Sequence, residues 1–371
     1  MPLRTWFLRL LCRCVTRSAA SVASSPGIAR SRTQQFARYL SPLGACLALF
    51  TAMPAAAEQG LTRISGNFYL GDAPTLIAER GGHFTERGLS VEVEFRTGGK
   101  HKLERLRAGE IDFALLALTP LALDLWSDPT PRGRDDPVIL AGLAHFARPH
   151  TTVVPSNSPV ERLSDLDGRK LGLALGSGGE FAWWLAQRYR ARPVAVELVD
   201  LPVEALPDAL ADGTVDAAVM STPWRERFRS ETGKQLRALN GSEGYTAQWV
   251  LVTRRSVSQQ QPARGRAMLS AYGDAIEFIR RNPERARRQY AEHVGISADL
   301  LQHTWNPAMY GLSLDWSMIS ELQLRLEWAR HSRGAIAGDR ASVLSLLAPA
   351  PLRAHAPSAV GIPMLSDEAT P

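Results

Sequence analysis

From residue 61 onward, short apolar runs alternate with segments of helical periodicity. The run LSVEVEFRT places Val91, Val93 and Phe95 on one face, as is typical of a strand. The next segment, KHKLERLRAGE, favours a short helix that ends at Gly109, and IDFALLAL has the continuous apolar character of a strand buried on both faces. This alternation predicts an α/β protein with parallel sheets whose strands are connected by crossover helices.

One part of this pattern occurs twice along the chain. LERLRAGEIDFALLALTP (103–120) and LPDALADGTVDAAVMSTP (206–223) both run from a helix through Gly to an Asp, an apolar strand and Thr-Pro. The repetition predicts one such unit in each of two domains. The region 261–345 is largely helical in pattern, and the Pro- and Ala-rich segment 346–371 is predicted to be a disordered tail.

The first 57 residues differ in composition from the rest of the chain. They contain seven Arg, no Lys and no acidic residue, and they end with the apolar run LGACLALFTAM followed by Pro54 and by AAA up to Ala57. This layout predicts an export signal that is cleaved near Ala57. The run of 11 residues is too short to cross a bilayer as a helix, which takes about 20 residues. An organellar transit peptide and lipidation of Cys46 are the alternative interpretations.

Removing this leader changes the charge and the cysteine content. Of the 43 basic residues 36 remain, against 37 acidic residues, so a nucleic-acid partner is not expected. All three cysteines, Cys12, Cys14 and Cys46, lie in the leader, which leaves no thiol for a disulfide, a thiolate metal site or a cysteine nucleophile. The histidines lack the spacing and the acidic neighbours of metal ligands. We therefore predict neither a metal site nor a cofactor.

The stretch KLGLALGSGGEF has the order strand, glycine-rich turn, helix. It is not a phosphate loop, because no Lys and hydroxyl pair follows Gly179, and it is not a dinucleotide fingerprint, because Phe181 stands where the third Gly belongs. Ser177 and Glu180 have the spacing of a capping box. That box does not require Gly178 and Gly179, whose bare backbone would let a ligand approach the helix N–H groups. Capping and ligand contact therefore both stay open.

Four motifs occur in order between residues 60 and 250, at 68–94, 97–121, 163–181 and 206–224. They begin FYLGDAPTL, TGGKHKLER, LSDLDGRKL and LPDALADGT. Together they resemble the periplasmic solute-binding proteins of nitrate, sulfonate and taurine importers, including their thiamine-pyrimidine relatives. The resemblance implies a two-lobed periplasmic binding protein fold of type II, with mixed, mostly parallel sheets, flanking helices and a cleft between the lobes. It implies that lobe I comprises 58–150 and 250–345, and that lobe II comprises 151–249.

The resemblance also implies a function. The protein would be the substrate-binding component of an ABC-type importer, a periplasmic monomer that captures a sulfonate-, taurine- or pyrimidine-like solute and delivers it to a permease and its ATPase. It would meet the membrane only through the permease, and it would not be an enzyme. The alternatives are a periplasmic sensor that acts with a separate membrane receptor, or a biosynthetic enzyme on the same fold. The fungal pyrimidine-forming relatives carry a cysteine-rich motif, which the chain lacks after its leader.

The loops that follow the strands of such a fold would form the ligand site. Carried over to this chain, they comprise Tyr69, Asp72, Ala73, Thr97, Gly98, Gly99, Lys100, Thr119, Ser177, Gly178, Gly179, Ser221, Thr222 and Trp224. Asp72 would bind a ligand amine or cap its own helix. Tyr69 and Trp224 would cover the ligand or belong to the core, and Lys100 would supply a cation or be solvated. The favoured ligand is an organic solute with an acidic group.

Overall fold

The computed structural model describes residues 60–128, 133–188, 190–241, 246–334 and 342–362. The predicted leader, its cleavage site and Cys46 lie outside these ranges, as do residues 363–371. None of the helices in the described ranges has both the length and the apolar character needed to cross a membrane.

The described residues contain eleven strands and twelve α-helices. The strands are β1 (Thr62–Gly66), β2 (Val91–Phe95), β3 (Phe113–Ala117), β4 (Pro137–Ala147), β5 (Thr151–Pro155), β6 (Lys170–Leu173), β7 (Glu197–Asp200), β8 (Ala217–Met220), β9 (Leu236–Ala238), β10 (Thr246–Arg254) and β11 (Tyr310–Ser313). The helices are α1 (Ala73–Arg80), α2 (His83–Glu86), α3 (Gly99–Ala108), α4 (Leu118–Ser127), α5 (Gly178–Arg188), α6 (Leu206–Ala211), α7 (Trp224–Thr232), α8 (Arg255–Gln260), α9 (Pro262–Arg281), α10 (Pro283–Val294), α11 (Trp316–Arg333) and α12 (Ala350–His355).

Two mixed sheets organise these elements. The first has the order β11-β4-β10-β3-β1-β2, and the second has the order β7-β6-β8-β5-β9. Strands β1 and β6 each pair in parallel with both neighbours, whereas β10 and β5 pair antiparallel with both of theirs. The antiparallel pairs involve the strands that bring the chain into and out of the second sheet. The predicted mixed α/β fold is confirmed, but the sheets are not mostly parallel, since the described strands form four parallel and five antiparallel pairs.

The chain passes between the sheets twice. It leaves the first sheet through the three residues between β4 and β5, and it returns between β9 and β10. We propose that these crossings are the lobe boundaries expected near residues 150 and 250. Lobe I is used below for the segments that form the first sheet with their helices, and lobe II for those that form the second.

The repeated motif has the same local structure in both lobes. In lobe I the Asp112 carboxylate accepts the backbone N–H of Arg63 on the parallel neighbour strand, at 2.9 Å. In lobe II the Asp216 carboxylate accepts the N–H of Lys170 in the same way, also at 2.9 Å. The two Asp side chains thus fix the start of β3 against β1 and the start of β8 against β6.

Helix α11 packs against both lobes. Its residues Met318 and Leu322 belong to the lobe I core, while Trp328 belongs to the lobe II core. Between them lies Arg325, which is 1% exposed and donates to the Thr119 hydroxyl of lobe I at 3.2 Å. The Arg325 guanidinium carbon also lies 4.5 Å from the ring centroid of Phe181 in lobe II. The helix therefore joins the lobes along one side of the molecule.

Residues 346–362 do not form the disordered tail that was predicted. They contain α12, whose Leu352 is fully buried, and the Ala348 N–H donates to the Ile139 carbonyl of β4 at 2.9 Å. The prediction was wrong for this part of the chain. It was based on the Pro and Ala content and gave no weight to the apolar side chains of the segment, which pack on lobe I.

A buried lysine joins the carboxyl end of β1 to the middle of β3. Lys102 projects from α3, is 1% exposed, and donates to the carbonyls of Gly66 and Leu115 at 2.6 Å and 3.2 Å. Burial lowers the pKa of Lys102 and raises that of the neighbouring Asp72, so burial favours the neutral form of each. Two adjacent strands are thus held together by one side chain from the helix that lies between them in the chain.

Lys102→Met is expected to lower the free energy of unfolding by about 1–3 kcal/mol, because two buried carbonyls each lose one hydrogen bond. The matched control is Lys100→Met, since Lys100 is exposed on the same helix. Chemical denaturation of both variants measures the difference. Equal stability of the two variants would contradict the role given to Lys102.

Candidate functional site

A cavity of about 590 Å³ lies between the two sheets. Both lobes and the crossover between them contribute to its wall. The lining residues are Tyr69, Leu70 and Gly71 after β1, His145 to His150 at the end of β4 and in the crossover, Ser221, Thr222 and Arg225 after β8, Trp249 of β10, and His303, Thr304, Asn306, Ala308 and Met309 before β11. The volume lies within the range of small-molecule sites.

The turn that carries Tyr69 is held by buried polar side chains. The Tyr290 hydroxyl donates to the Phe68 carbonyl and the Tyr310 hydroxyl donates to the Leu70 carbonyl, each at 2.8 Å. These two bonds fix the backbone on either side of Tyr69. With its backbone held in this position, the side chain of Tyr69 lines the cavity.

Asp72 lies outside the cavity wall. The side chain is 1% exposed and does not line the cavity, so contact with a ligand amine stays a prediction. It does not cap its own helix: its carboxylate accepts the Asn67 N–H and the Thr75 hydroxyl. Asn67 in turn donates its side-chain amide to the Leu115 carbonyl. Asp72 therefore ties the start of the turn to helix α1.

Aromatic side chains form one wall of the cavity. The rings of Tyr69 and Trp249 have centroids 5.1 Å apart, and Trp224 meets Tyr69 edge-on at 6.3 Å. Gly71 is required for this packing, because a Cβ there would lie 2.1 Å from Cδ1 of Trp249. Burial and the nearby Glu204 raise the pKa of Tyr69, which keeps its phenol neutral. This wall suits the apolar body of an organic ligand.

Lobe II supplies hydrogen-bond donors opposite this wall. Ser221 is 6% exposed, and within the described ranges its hydroxyl has no hydrogen-bond partner. The same holds for Nε of Arg225 among the described residues. The other two nitrogens of that guanidinium donate to the Thr151 and Thr222 hydroxyls, at 3.2 Å and 3.3 Å. Arg225 is thus held in place, and its buried Nε is left without a partner among the described residues.

The fixed charges on the described cavity wall are positive. They belong to Arg148 and Arg225, and no Asp or Glu is among the described lining residues. The carboxylate of Glu226 lies 4.0 Å from the Arg225 guanidinium, at the limit of an ion pair, and does not line the cavity. A wall of this composition favours an anionic ligand.

The glycine-rich turn is capped by its own side chains. The Ser177 hydroxyl accepts the Gly179 N–H at 3.0 Å, and the Glu180 carboxylate accepts the Gly176 N–H at 2.7 Å and a pair of bonds from Arg333. Gly178 and Gly179 are buried and do not line the cavity. A Cβ on Gly179 would lie 3.7 Å from the ring of His150, which does line it. His150 therefore lines the cavity at this point and the glycine-rich turn packs behind it. Direct contact between this turn and a ligand stays a prediction.

The other predicted site residues fall into two groups. Tyr69, Ser221 and Thr222 line the cavity, and Trp224 lies directly behind Tyr69. The remaining residues lie outside the lining: buried Ala73 and Thr119, and Thr97, Gly98, Gly99 and Lys100 at the start of α3. The Thr97 hydroxyl bonds to the Glu204 carboxylate of lobe II, so it bridges the lobes beyond the cavity.

Several lining residues were missed by the sequence interpretation. Arg225 directly follows the Ser-Thr-Pro-Trp segment that was singled out, and its place in the first turn of α7 was the available signal. Arg148 and His150 lie in the segment HFARPH, where only metal ligation was considered. Trp249 gave no signal, because an apolar residue in a strand is ordinary.

The pKa of His150 is lowered to about 3 by burial and by the charges of Arg225 and Arg325. The folded protein therefore keeps His150 neutral, whereas the unfolded chain binds a proton below about pH 6.5. Stability from this group is present above pH 6.5 and is lost as the pH falls toward 3.

When the pH falls from 6.5 to 4.5, the free energy of unfolding should decrease in both the unaltered protein and the His150→Gln variant. The decrease should be about 1–2 kcal/mol smaller in the variant, because it lacks this group. Urea denaturation at both pH values measures this, with the exposed His101→Gln as control; equal losses in all three proteins would contradict the assignment.

Solved structures with the same fold include binding proteins and also the desulfurization enzyme DSZB. The alkanesulfonate-binding protein SsuA of Xanthomonas axonopodis pv. citri, bound to MOPS, is 18% identical with a TM-score of 0.66, covering 79% of this chain and 100% of that one. The periplasmic aliphatic sulphonate binding protein SsuA of Escherichia coli is 17% identical with a TM-score of 0.63, covering 74% and 88%. At such identities the likeness shows the fold alone.

Sequence comparison gives the family. A protein of Brucella abortus (strain 2308) that carries a provisional name as a binding protein is 21% identical over 222 residues, which are 59% of this chain. The chain spans 66% of that relative's length. The model of the NMT1/THI5 like family matches residues 71–286, more than half of the chain. The protein therefore belongs to the NMT1/THI5-like family and has the periplasmic binding protein fold.

Proposed function

We propose that the protein is the substrate-binding component of an ABC-type importer and that it captures a small organic anion in the periplasm. The observation that carries this proposal is the composition of the cavity wall: aromatic rings of lobe I line the same cavity as Ser221 and Arg225 of lobe II, and no carboxylate is among the described lining residues. The family and the fold support a binding role, and the leader supports export.

The acidic group of the solute binds on lobe II. The Ser221 hydroxyl and Nε of Arg225 are donors without partners among the described residues, and Thr151 and Thr222 already orient the guanidinium. A sulfonate or carboxylate oxygen satisfies both donors at once. Charge-assisted bonds of this kind are about twice as strong as neutral ones.

The apolar body of the solute packs on lobe I. It lies against Tyr69 and Trp249, whose positions are fixed by the turn and by Gly71. A solute that contacts both lobes favours the conformation in which they are close, so binding and closure are linked. A permease would then recognise the closed form.

The same wall distinguishes among the candidate solutes. A taurine-like ligand has an ammonium group that prefers a carboxylate, and the described part of the wall offers none. A neutral pyrimidine ring has no acidic group for the donors of lobe II. A sulfonate or carboxylate on a carbon skeleton matches both the donors and the rings. We therefore place the solute in this class, and we propose binding without catalysis.

Arg225→Gln should weaken binding of alkanesulfonate probes by about 10- to 100-fold, as expected for loss of a charge-assisted hydrogen bond. Isothermal titration calorimetry with sulfonates and carboxylates of three to eight carbons measures the affinities. The matched control is Arg192→Gln, since Arg192 of lobe II is 90% exposed and does not line the cavity. An Arg225 variant that binds as tightly as the control would refute the anion site.

A further inference from the structure

A second guanidinium lines the same cavity. Arg148 lies in the crossover between β4 and β5 and is exposed to solvent there. No described carboxylate forms an ion pair with it, in contrast to surface arginines such as Arg87, which pairs with Asp274 at 2.7 Å. Its charge is therefore available to a molecule in the cavity.

The backbone of Arg148 has an unusual conformation. Its φ is 56°, and it is the one non-glycine residue with a positive φ in the described chain. Glycine adopts this conformation at little cost, whereas a residue with a Cβ is strained. The following Pro149 adds to the cost, since a residue before proline prefers an extended conformation. Strained residues of this kind are found at ligand sites. Here the strained position carries a guanidinium, which a glycine in the same conformation would lack.

The charges of the cavity wall then determine how many acidic groups suit it. Arg225 comes from lobe II and Arg148 from the crossover, so the two cations belong to different parts of the wall. One acidic group at Ser221 and Arg225 compensates one of them. Closure of the cleft over a monoanion would leave the other cation with less water and no partner, which is unfavourable.

We propose that the solute carries two acidic groups, one bound by Ser221 and Arg225 and the other by Arg148, with its carbon skeleton against Tyr69 and Trp249. This inference rests on the proposed function and narrows its substrate class from organic anions to organic dianions. A cavity of about 590 Å³ holds a short chain or a single ring that carries two such groups.

The test compares probes that share a carbon skeleton and differ in one acidic group. The pairs are propane-1-sulfonate with 3-sulfopropanoate, and benzenesulfonate with 4-sulfobenzoate, titrated calorimetrically into the exported protein. The diacid of each pair should bind about 10-fold more tightly than the mono-acid. Arg148→Gln should lower the diacid affinity about 10-fold more than it lowers the mono-acid affinity.

Two further variants separate the possible causes. Arg148→Gly removes the guanidinium and relieves the backbone strain, so it should fold at least as well as the unaltered protein and show the same selective loss. Arg192→Gln, outside the cavity, should keep the preference for diacids.

The outcomes also separate this inference from the proposed function. Mono-acids that bind as tightly as their diacids, or a diacid preference that survives in both Arg148 variants, would overturn the second subsite and leave the anion site intact. Binding of neither member of any pair, or binding that is unchanged in Arg225→Gln, would count against the proposed function itself.

Discussion

The position of the turn after β1 is the constraint on which the candidate site depends. This turn follows the carboxyl end of β1, and buried polar side chains fix it from several directions. Lys102 joins the end of β1 to the middle of β3, and Tyr290 and Tyr310 bond to the carbonyls on either side of Tyr69. Because buried polar groups are costly unless paired, the network allows one arrangement of the turn. The aromatic wall follows from it.

The two walls of the cavity belong to different lobes, and the lobes are joined unevenly. On one side α11 packs into both cores and buries Arg325 between them. On another, the contact between lobes includes the bond from Thr97 to Glu204 and the edge-on rings of Tyr69 and Trp224. A solute that bonds to lobe II and packs on lobe I would add to this second set of contacts. Ligand binding can therefore shift the population toward a closed form without remaking the core.

The sequence was informative where structure is local. Periodicity and caps predicted the strands, the short helices and the repeated unit, because each depends on neighbouring residues. The repeat itself was misleading for function: Thr222 lines the cavity, whereas its counterpart Thr119 lies inside α4 and bonds to Arg325. Trp249 and Arg148 reach the cavity only because distant segments meet there, and a single sequence carries no direct signal of such contacts. Asp72 likewise has the position of a helix cap but bonds elsewhere, for reasons of tertiary packing.

The proposed function depends most on the binding of an anion in the cavity. Native mass spectrometry of the exported protein, purified from a periplasmic extract without refolding, tests this directly when the bound molecule is then released and identified. We expect the released molecule to be a small organic solute that has acidic groups and no basic group. A basic or neutral solute, or a protein without any solute whose melting temperature is unaffected by sulfonates and carboxylates, would contradict the proposed function.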